Sequence, residues 1–156
     1  MPIQQKNPDW IKNLTMRLKE QDKMEIAVGF PVGAEGIGQP HYPTGASIID
    51  VAIWNEFGTS GGIPPRPFMK NAGPQLQENF KRQMQAAQPR INSGDLDVAT
   101  AYNAIALESE GIIRTSIDTG GYAPNHTQTI KRKGSATPLI DTGAMRAAAT
   151  SKVRNK

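Results

Sequence analysis

The sequence contains no cysteine, only two histidines and no long run of apolar residues. Without cysteine there is no disulfide framework, thiolate nucleophile or cysteine-ligated metal site. His41 and His126 have no second histidine or carboxylate at ligand spacing, so we predict neither a zinc site nor a cofactor. No stretch approaches the roughly 18 apolar residues of a membrane span, and the first residues, MPIQQK, lack the apolar core of a secretion signal. We therefore expect a soluble protein that is made in the cytoplasm.

Length and composition favour a single domain with long structured loops. The chain has 156 residues, of which 37% are hydrophobic, and this is enough for one modest core. Its 15 glycines and 12 prolines indicate that much of the chain lies in turns and loops. The net charge of +4 is compatible with an anionic partner but does not identify nucleic acid.

The periodicity of apolar residues predicts helices at residues 10–21, 46–57, 70–87 and 96–117. The longest of these, residues 96–117, is expected to lie across a sheet. Residues 24–30 alternate, which predicts a strand with Ile26, Val28 and Phe30 facing inward. A final strand over residues 147–153 is expected to pair with it, and residues 88–94 are expected to break the third helix. The predicted fold class is α+β, with a small, mainly antiparallel sheet packed by one long helix and several shorter ones.

Residues 31–45 form a long loop with no apolar period, containing four glycines and three prolines. Loops of this length are uncommon in small domains and often make contacts, so one hypothesis is an arm that reaches a neighbouring subunit. The alternative is an ordinary surface loop. The phosphate-loop reading fails because no Gly-Lys-Ser/Thr ending follows the glycines. The candidate contact residues are Gly33, Gly36, Gly38, His41 and Tyr42.

The chain concentrates bulky and rigid residues between positions 53 and 69, where one tryptophan, two phenylalanines and three prolines occur. Helical spacing places Ile49, Ala52, Ile53 and Phe57 on one apolar face. Gly58 is expected to end this helix in a positive-φ conformation, and the prolines are expected to keep residues 63–67 extended. A guanidinium at position 66 between two prolines is held stiffly, and Glu56 is its predicted carboxylate partner. The segment is either a corner that only packs the core or a scaffold that also presents a surface.

The tripeptide Asp-Thr-Gly occurs at residues 118–120 and 141–143. The second copy, within LIDTGA over residues 139–144, resembles the active-site strand of retropepsin-like aspartic proteases. That chemistry requires two carboxylates about 3 Å apart, a flap and a supporting sheet. Only 13 residues follow Gly143, which is too few for a flap and a sheet. We therefore predict that Asp141 caps a short helix and that the protein is not an enzyme, since no nucleophile elbow is present either.

The C-terminal segment is basic: seven basic residues and one acidic residue follow from position 131 onward. Lys131, Arg132 and Lys133 are candidate contacts to DNA phosphates. The segment lacks the interleaved aromatics of a single-strand binder, so a solvated or subunit-contacting tail is the other interpretation. A small basic nucleic-acid-binding module is accordingly the alternative to a purely structural protein.

Two blocks of sequence carry a family resemblance. The first reads WNEFGT over residues 54–59 and IPPRPFM over residues 63–69, and the second reads PLIDTGAMR over residues 138–146. Together they resemble the HK97 gp10-like and Mu-like virion morphogenesis families of tailed phages. Residues 27–31 also fit the place where such families have their first strand.

The resemblance implies a structural virion protein at the head–tail junction, a neck or tail-completion component assembled in the host cytoplasm. It implies partners of three kinds: other copies in a ring such as a hexamer or dodecamer, a connector or stopper protein, and a tail terminator or tube protein. Genome DNA would pass through the lumen of the ring, and no membrane is involved. The residues expected to shape the subunit and its interfaces are Trp54, Glu56, Phe57, Arg66, Pro67, Phe68, Asp141, Thr142 and Arg146.

Overall fold

The computed structural model of the chain describes residues 9–31, 38–39, 41–134 and 136–156. Within these residues the fold is α+β, with six helices and one two-stranded antiparallel sheet. The helices are α1 (Trp10–Lys23), α2 (Ile48–Phe57), α3 (Phe68–Ser93), α4 (Val98–Thr119), α5 (Thr127–Lys133) and α6 (Ala144–Ala148). The strands are β1 (Met24–Gly29) and β2 (Thr150–Asn155). In the same described residues, no helix is long and apolar enough to cross a membrane.

The sheet pairs the first strand with a C-terminal one, as expected, but the C-terminal strand begins at Thr150, because residues 147 and 148 belong to α6. Strand β1 pairs with β2 in a register that runs from Met24 opposite Asn155 to Gly29 opposite Thr150. Ile26 and Val153 face one part of the core and Val28 faces another, while α4 packs against both strands. The prediction that the longest predicted helix lies across the sheet is therefore confirmed.

Glu110 of α4 fastens the second strand to that helix. Its Oε1 accepts hydrogen bonds from the Ser151 amide at 2.9 Å and the Ser151 hydroxyl at 2.7 Å. Its Oε2 pairs with Arg114 at 3.1 Å, and Arg114 also donates to the Ala149 carbonyl at 2.7 Å. These contacts hold the start of β2 against α4, so the C-terminal strand is tied by side chains as well as by its ladder.

Helix α3 continues through the segment that was expected to break it. The prediction of a break at residues 88–94 is wrong, because Pro89 lies inside a helix that ends only at Gly94, where φ is +89°. An internal proline costs a helix roughly 3 kcal/mol. Ile91, one turn from its end, is completely buried against Val98, Tyr102 and their neighbours. Burial of this last turn offsets the local cost, a case of tertiary packing overriding propensity.

The interior consists of two groups of buried side chains along α3 and α4. One surrounds Phe68, Ile113 and Ile117 and extends to Leu139 and Met145 near α6. The other surrounds Ile91 and Ile105 beneath α1 and the sheet. Because α4 contributes to both groups, it is the central element, and α1, α3, α6 and both strands pack against it.

Two helices begin with carboxylates that accept backbone N–H groups. Ser47 and Asp50 form a reciprocal capping box at the start of α2. Asp97 accepts the Thr100 amide at 2.9 Å and also the Thr100 hydroxyl at the start of α4. The hydrogen bond from the Thr100 hydroxyl, with that from its amide, lowers the pKa of Asp97 below its usual value. These bonds satisfy amides that the first helical turn cannot pair internally.

The lowered pKa of Asp97 implies that the stability of the protein depends on pH in the acidic range. Because the folded-state pKa lies below the unfolded one, the stabilisation is present above about pH 4 and is lost as the pH falls through the folded-state value. We expect acidification from about pH 7 to about pH 3 to lower the melting temperature of the natural chain more than that of an Asp97→Asn variant. Circular dichroism melts across this range test the prediction, and parallel pH curves for the two proteins would contradict it.

Candidate functional site

Arg66 is the centre of the aromatic–proline corner, and it is 95% buried, with a relative exposure of 5%. Its Nε donates to the Ala123 carbonyl at 2.9 Å, and one terminal nitrogen donates to the Asn55 amide oxygen at 2.9 Å. The other terminal nitrogen donates to the Asn125 amide oxygen at 3.0 Å and to the Pro124 carbonyl at 3.3 Å. The guanidinium thus joins α2 to the loop before α5.

The predicted ion pair between Arg66 and Glu56 is wrong. The guanidinium donates to carbonyl and amide oxygens, which are neutral, and no carboxylate pairs with Arg66 in the described part of the chain. Burial lowers the pKa of Arg66, although an arginine remains charged at neutral pH. The corner therefore contains a buried positive charge whose stabilisation comes from amide and carbonyl dipoles.

Glu56 has a different role, at the start of α3. Its two carboxylate oxygens accept the Met69 amide at 2.9 Å and the Lys70 amide at 3.1 Å. Pro67 occupies the N-cap position and has no side-chain acceptor. A carboxylate contributed by α2 therefore satisfies the free amides of α3, where the helix dipole also favours negative charge.

The aromatic residues of the corner divide into one buried ring and two exposed ones. Phe68 is completely buried and meets Phe30 edge to face, with ring centroids 6.1 Å apart. Phe57 is 75% exposed and Ile53 is 49% exposed, so these two residues of the predicted apolar face do not pack into the core. Trp54 is 40% exposed. The core is instead covered by Ile48 and Ala52, which leaves an apolar outer surface on α2, defined here as the α2 face of Ile53, Trp54 and Phe57.

The second block also differs in detail from its prediction. Asp141 does not cap α6: the N-cap is Gly143, with φ +79°, and the Thr142 hydroxyl accepts the Ala144 amide at 3.3 Å. The Nε of Arg146 donates a bifurcated hydrogen bond to both oxygens of Asp118, at 2.7 and 2.9 Å. The first Asp-Thr-Gly carboxylate is thus the ion partner of the second block's arginine.

The predicted contact loop and basic cluster are described in part. Gly33 and Gly36 lie outside the described residues, and Gly38 has open space around it. The amides of His41 and Tyr42 both donate to the Ala46 carbonyl, at 3.0 and 3.1 Å, in the turn before α2. Lys131 and Arg132 are exposed on α5, an element that the sequence pattern did not predict; Lys133 also belongs to α5, but its side chain lies outside the described residues.

The two blocks line one open cavity of about 850 Å³. Its wall combines α2, the proline segment, the loop before α5, α5 itself and the segment before α6. Its lining side chains include Trp54, Ile63, Arg66, Arg132, Leu139, Asp141 and Met145. Sequence reasoning missed Asn55 and Asn125, which orient Arg66, because an asparagine in a turn has no distinguishing pattern. Among the described residues, no group of three or more His, Asp or Glu side chains is arranged to hold a metal ion.

Comparison of the chain with known protein families, with curated proteins and with solved structures finds no match.

Proposed function

We propose that this protein is a structural component of a tailed-phage virion, a ring-forming neck or tail-completion protein at the head–tail junction. The proposal rests first on the resemblance of residues 54–69 and 138–146 to virion morphogenesis families. Its partners would be further copies of itself, a connector or stopper on one side and a tail terminator or tube protein on the other. The protein would act by presenting complementary surfaces.

The observation that carries the proposal is that some residues of the first block make contacts inside the subunit while others are exposed to solvent. Glu56, Arg66 and Phe68 make buried or capping contacts within the subunit. On the same short helix, Ile53, Trp54 and Phe57 are turned toward solvent. A contiguous exposed apolar surface marks an interaction site more often than an isolated apolar residue does. A rigid corner that displays such a surface is what docking between subunits requires.

A surface of this kind can lead to a closed ring of subunits. When one patch of a subunit docks on a different patch of the next copy, the contact repeats and closes if the rotation per copy divides a full turn. The exposed α2 face would be one half of that contact. Residues Trp10, Ile11 and Leu18 of α1, all at least 40% exposed, form a second apolar surface on the subunit.

Loss of the protein tests the joining role directly. Particles assembled without it should accumulate as separate filled heads and separate tails in electron micrographs. Complementation by an Ile53→Ser, Phe57→Ser double variant should fail, whereas Leu107→Ser, which alters an equally exposed residue on α4, should restore joined particles. Intact infectious particles in the absence of the protein would refute the proposal.

A further inference from the structure

The open cavity between the two blocks is not accounted for by ring formation. We propose that it is a binding site for a segment of a partner protein in which a carboxylate side chain stands next to an apolar one. Of the α2 face of Ile53, Trp54 and Phe57, only Trp54 lines this cavity. Val51 and Asn55, also on α2, line it too, and the remaining described lining residues come from other parts of the chain.

The charge of the cavity favours an anionic group. Arg66 and Arg132 both line it, and Asp141 is the only acidic residue in its described lining. Arg66 has no carboxylate partner within the described chain, and its guanidinium is bound by neutral oxygens alone. Arg132 is exposed at the wall, so it is free to turn toward a ligand. Because all three Arg66 nitrogens already donate to neighbouring oxygens, Arg66 contributes positive charge to the cavity, and Arg132 is the side chain that would pair with a ligand carboxylate through two parallel hydrogen bonds.

The walls favour an apolar group beside that carboxylate. Trp54, Ile63, Leu139 and Met145 contribute apolar surface, with the Trp54 side chain partly open to solvent. A volume of about 850 Å³ lies within the range of sites that enclose ligands the size of a few amino-acid residues. Such a site combines mostly apolar lining with a few placed polar groups, and this cavity has that composition.

The same features argue against nucleic acid as the occupant. A phosphodiester chain needs several cations spaced along a groove, and its affinity grows with the number of phosphates neutralised. The cavity offers two arginines, and one acidic residue shares the wall with them. A ligand with one carboxylate next to an apolar side chain matches two arginines and one acidic residue better than a nucleic-acid backbone, which carries one charge at every nucleotide.

The identity of the partner as a virion protein rests on the proposed function, but the binding itself does not. A binding measurement with a small probe and the purified chain can therefore succeed or fail independently of the particle experiment. If the particles join without this protein but the probe binds, only the proposed function is lost. If the probe does not bind but unjoined heads and tails accumulate, only the cavity proposal is lost.

The test uses the fluorescence of Trp54. A Trp10→Phe variant leaves Trp54 as the only tryptophan. Titration with the capped dipeptide acetyl-Asp-Phe-amide should change its emission, with half-saturation at about 1 mM, as expected for a ligand of this size. The isosteric acetyl-Asn-Phe-amide should bind roughly tenfold more weakly because it lacks the charge.

Matched variants assign the binding to the cavity. Arg132→Gln in the Trp10→Phe background should weaken the Asp-Phe probe by roughly tenfold, whereas Lys19→Gln, on the exposed surface of α1, should leave it within about twofold. Equal binding of the Asp and Asn probes, or equal binding by both variants, would overturn the proposal. Tighter binding of a thymidine dinucleotide than of the Asp-Phe probe would overturn it in favour of nucleic acid, and no change in Trp54 emission up to about 20 mM probe would overturn it outright.

Discussion

Replacing Phe68 with alanine should lower the free energy of unfolding by about 3–5 kcal/mol. The side chain is completely buried, packs edge to face on Phe30, and lies in the core group of Ile113 and Ile117. Truncation removes the apolar contacts of the ring and leaves a cavity that the surrounding helices fill only in part. Urea denaturation followed by circular dichroism measures the loss, which appears as a lower midpoint at an unchanged slope.

Phe57 provides the control, because it belongs to the same sequence block and carries the same side chain. It is 75% exposed, so Phe57→Ala should change the free energy of unfolding of the isolated subunit by no more than about 0.5 kcal/mol. Similar losses for the two variants would contradict the assignment of Phe68 to the core and Phe57 to the surface.

The Arg66→Met variant should lose about 2–4 kcal/mol of stability. The methionine fills much of the volume but donates no hydrogen bond. The carbonyls of Ala123 and Pro124 and the amide oxygens of Asn55 and Asn125 then lose the donor that joins them. The substitution also removes the cost of burying a positive charge, which favours the variant. The loss of a charged donor by four acceptors at once costs more free energy than this gain.

Arg132→Met is the matched control for this second change. Arg132 lines the same cavity but is exposed, so its replacement should alter stability by no more than about 0.5 kcal/mol. A second variant separates the effect of the Arg66 hydrogen bonds from the effect of its charge. Arg66→Lys keeps the positive charge but lacks the planar guanidinium, so it should remain well below the natural chain in stability. Full stability of either Arg66 variant would show that the network does not hold the corner.

These two changes together test the structural basis of the proposed function. If substitution of Phe68 or Arg66 lowers stability and substitution of Phe57 does not, the first block has one set of residues that stabilises the subunit and another set, the external half, that is exposed. The external half is then available for docking at no cost to the stability of the subunit. A phenotype in particle joining from Ile53→Ser and Phe57→Ser would in that case report on an interface and not on misfolding.

Local sequence predicted much of the fold in this chain. Helical spacing and alternation located α1, α2, β1 and α4 to within about two residues. The expected pairing of a final strand with the first is also confirmed, although this strand spans Thr150–Asn155 and begins three residues later than expected. Gly58 ends α2 with φ +75°, as its freedom from a Cβ allows. These features follow from the backbone and from nearest neighbours along the chain, and that information is present in a short window of sequence.

The tertiary structure alone decided which side of each element is covered and which groups meet. Spacing placed Ile53 and Phe57 on an apolar face of α2, but whether anything covers that face depends on where distant elements pack. Arg66 bonds to oxygens of residues 123–125, nearly 60 positions away, and not to the carboxylate nearest in sequence. Pro89 remains helical because Ile91 is buried, and Asp141 does not cap α6 because the helix starts after Gly143. Each outcome is a balance of long-range burial against local preference, and a single sequence carries only the local part.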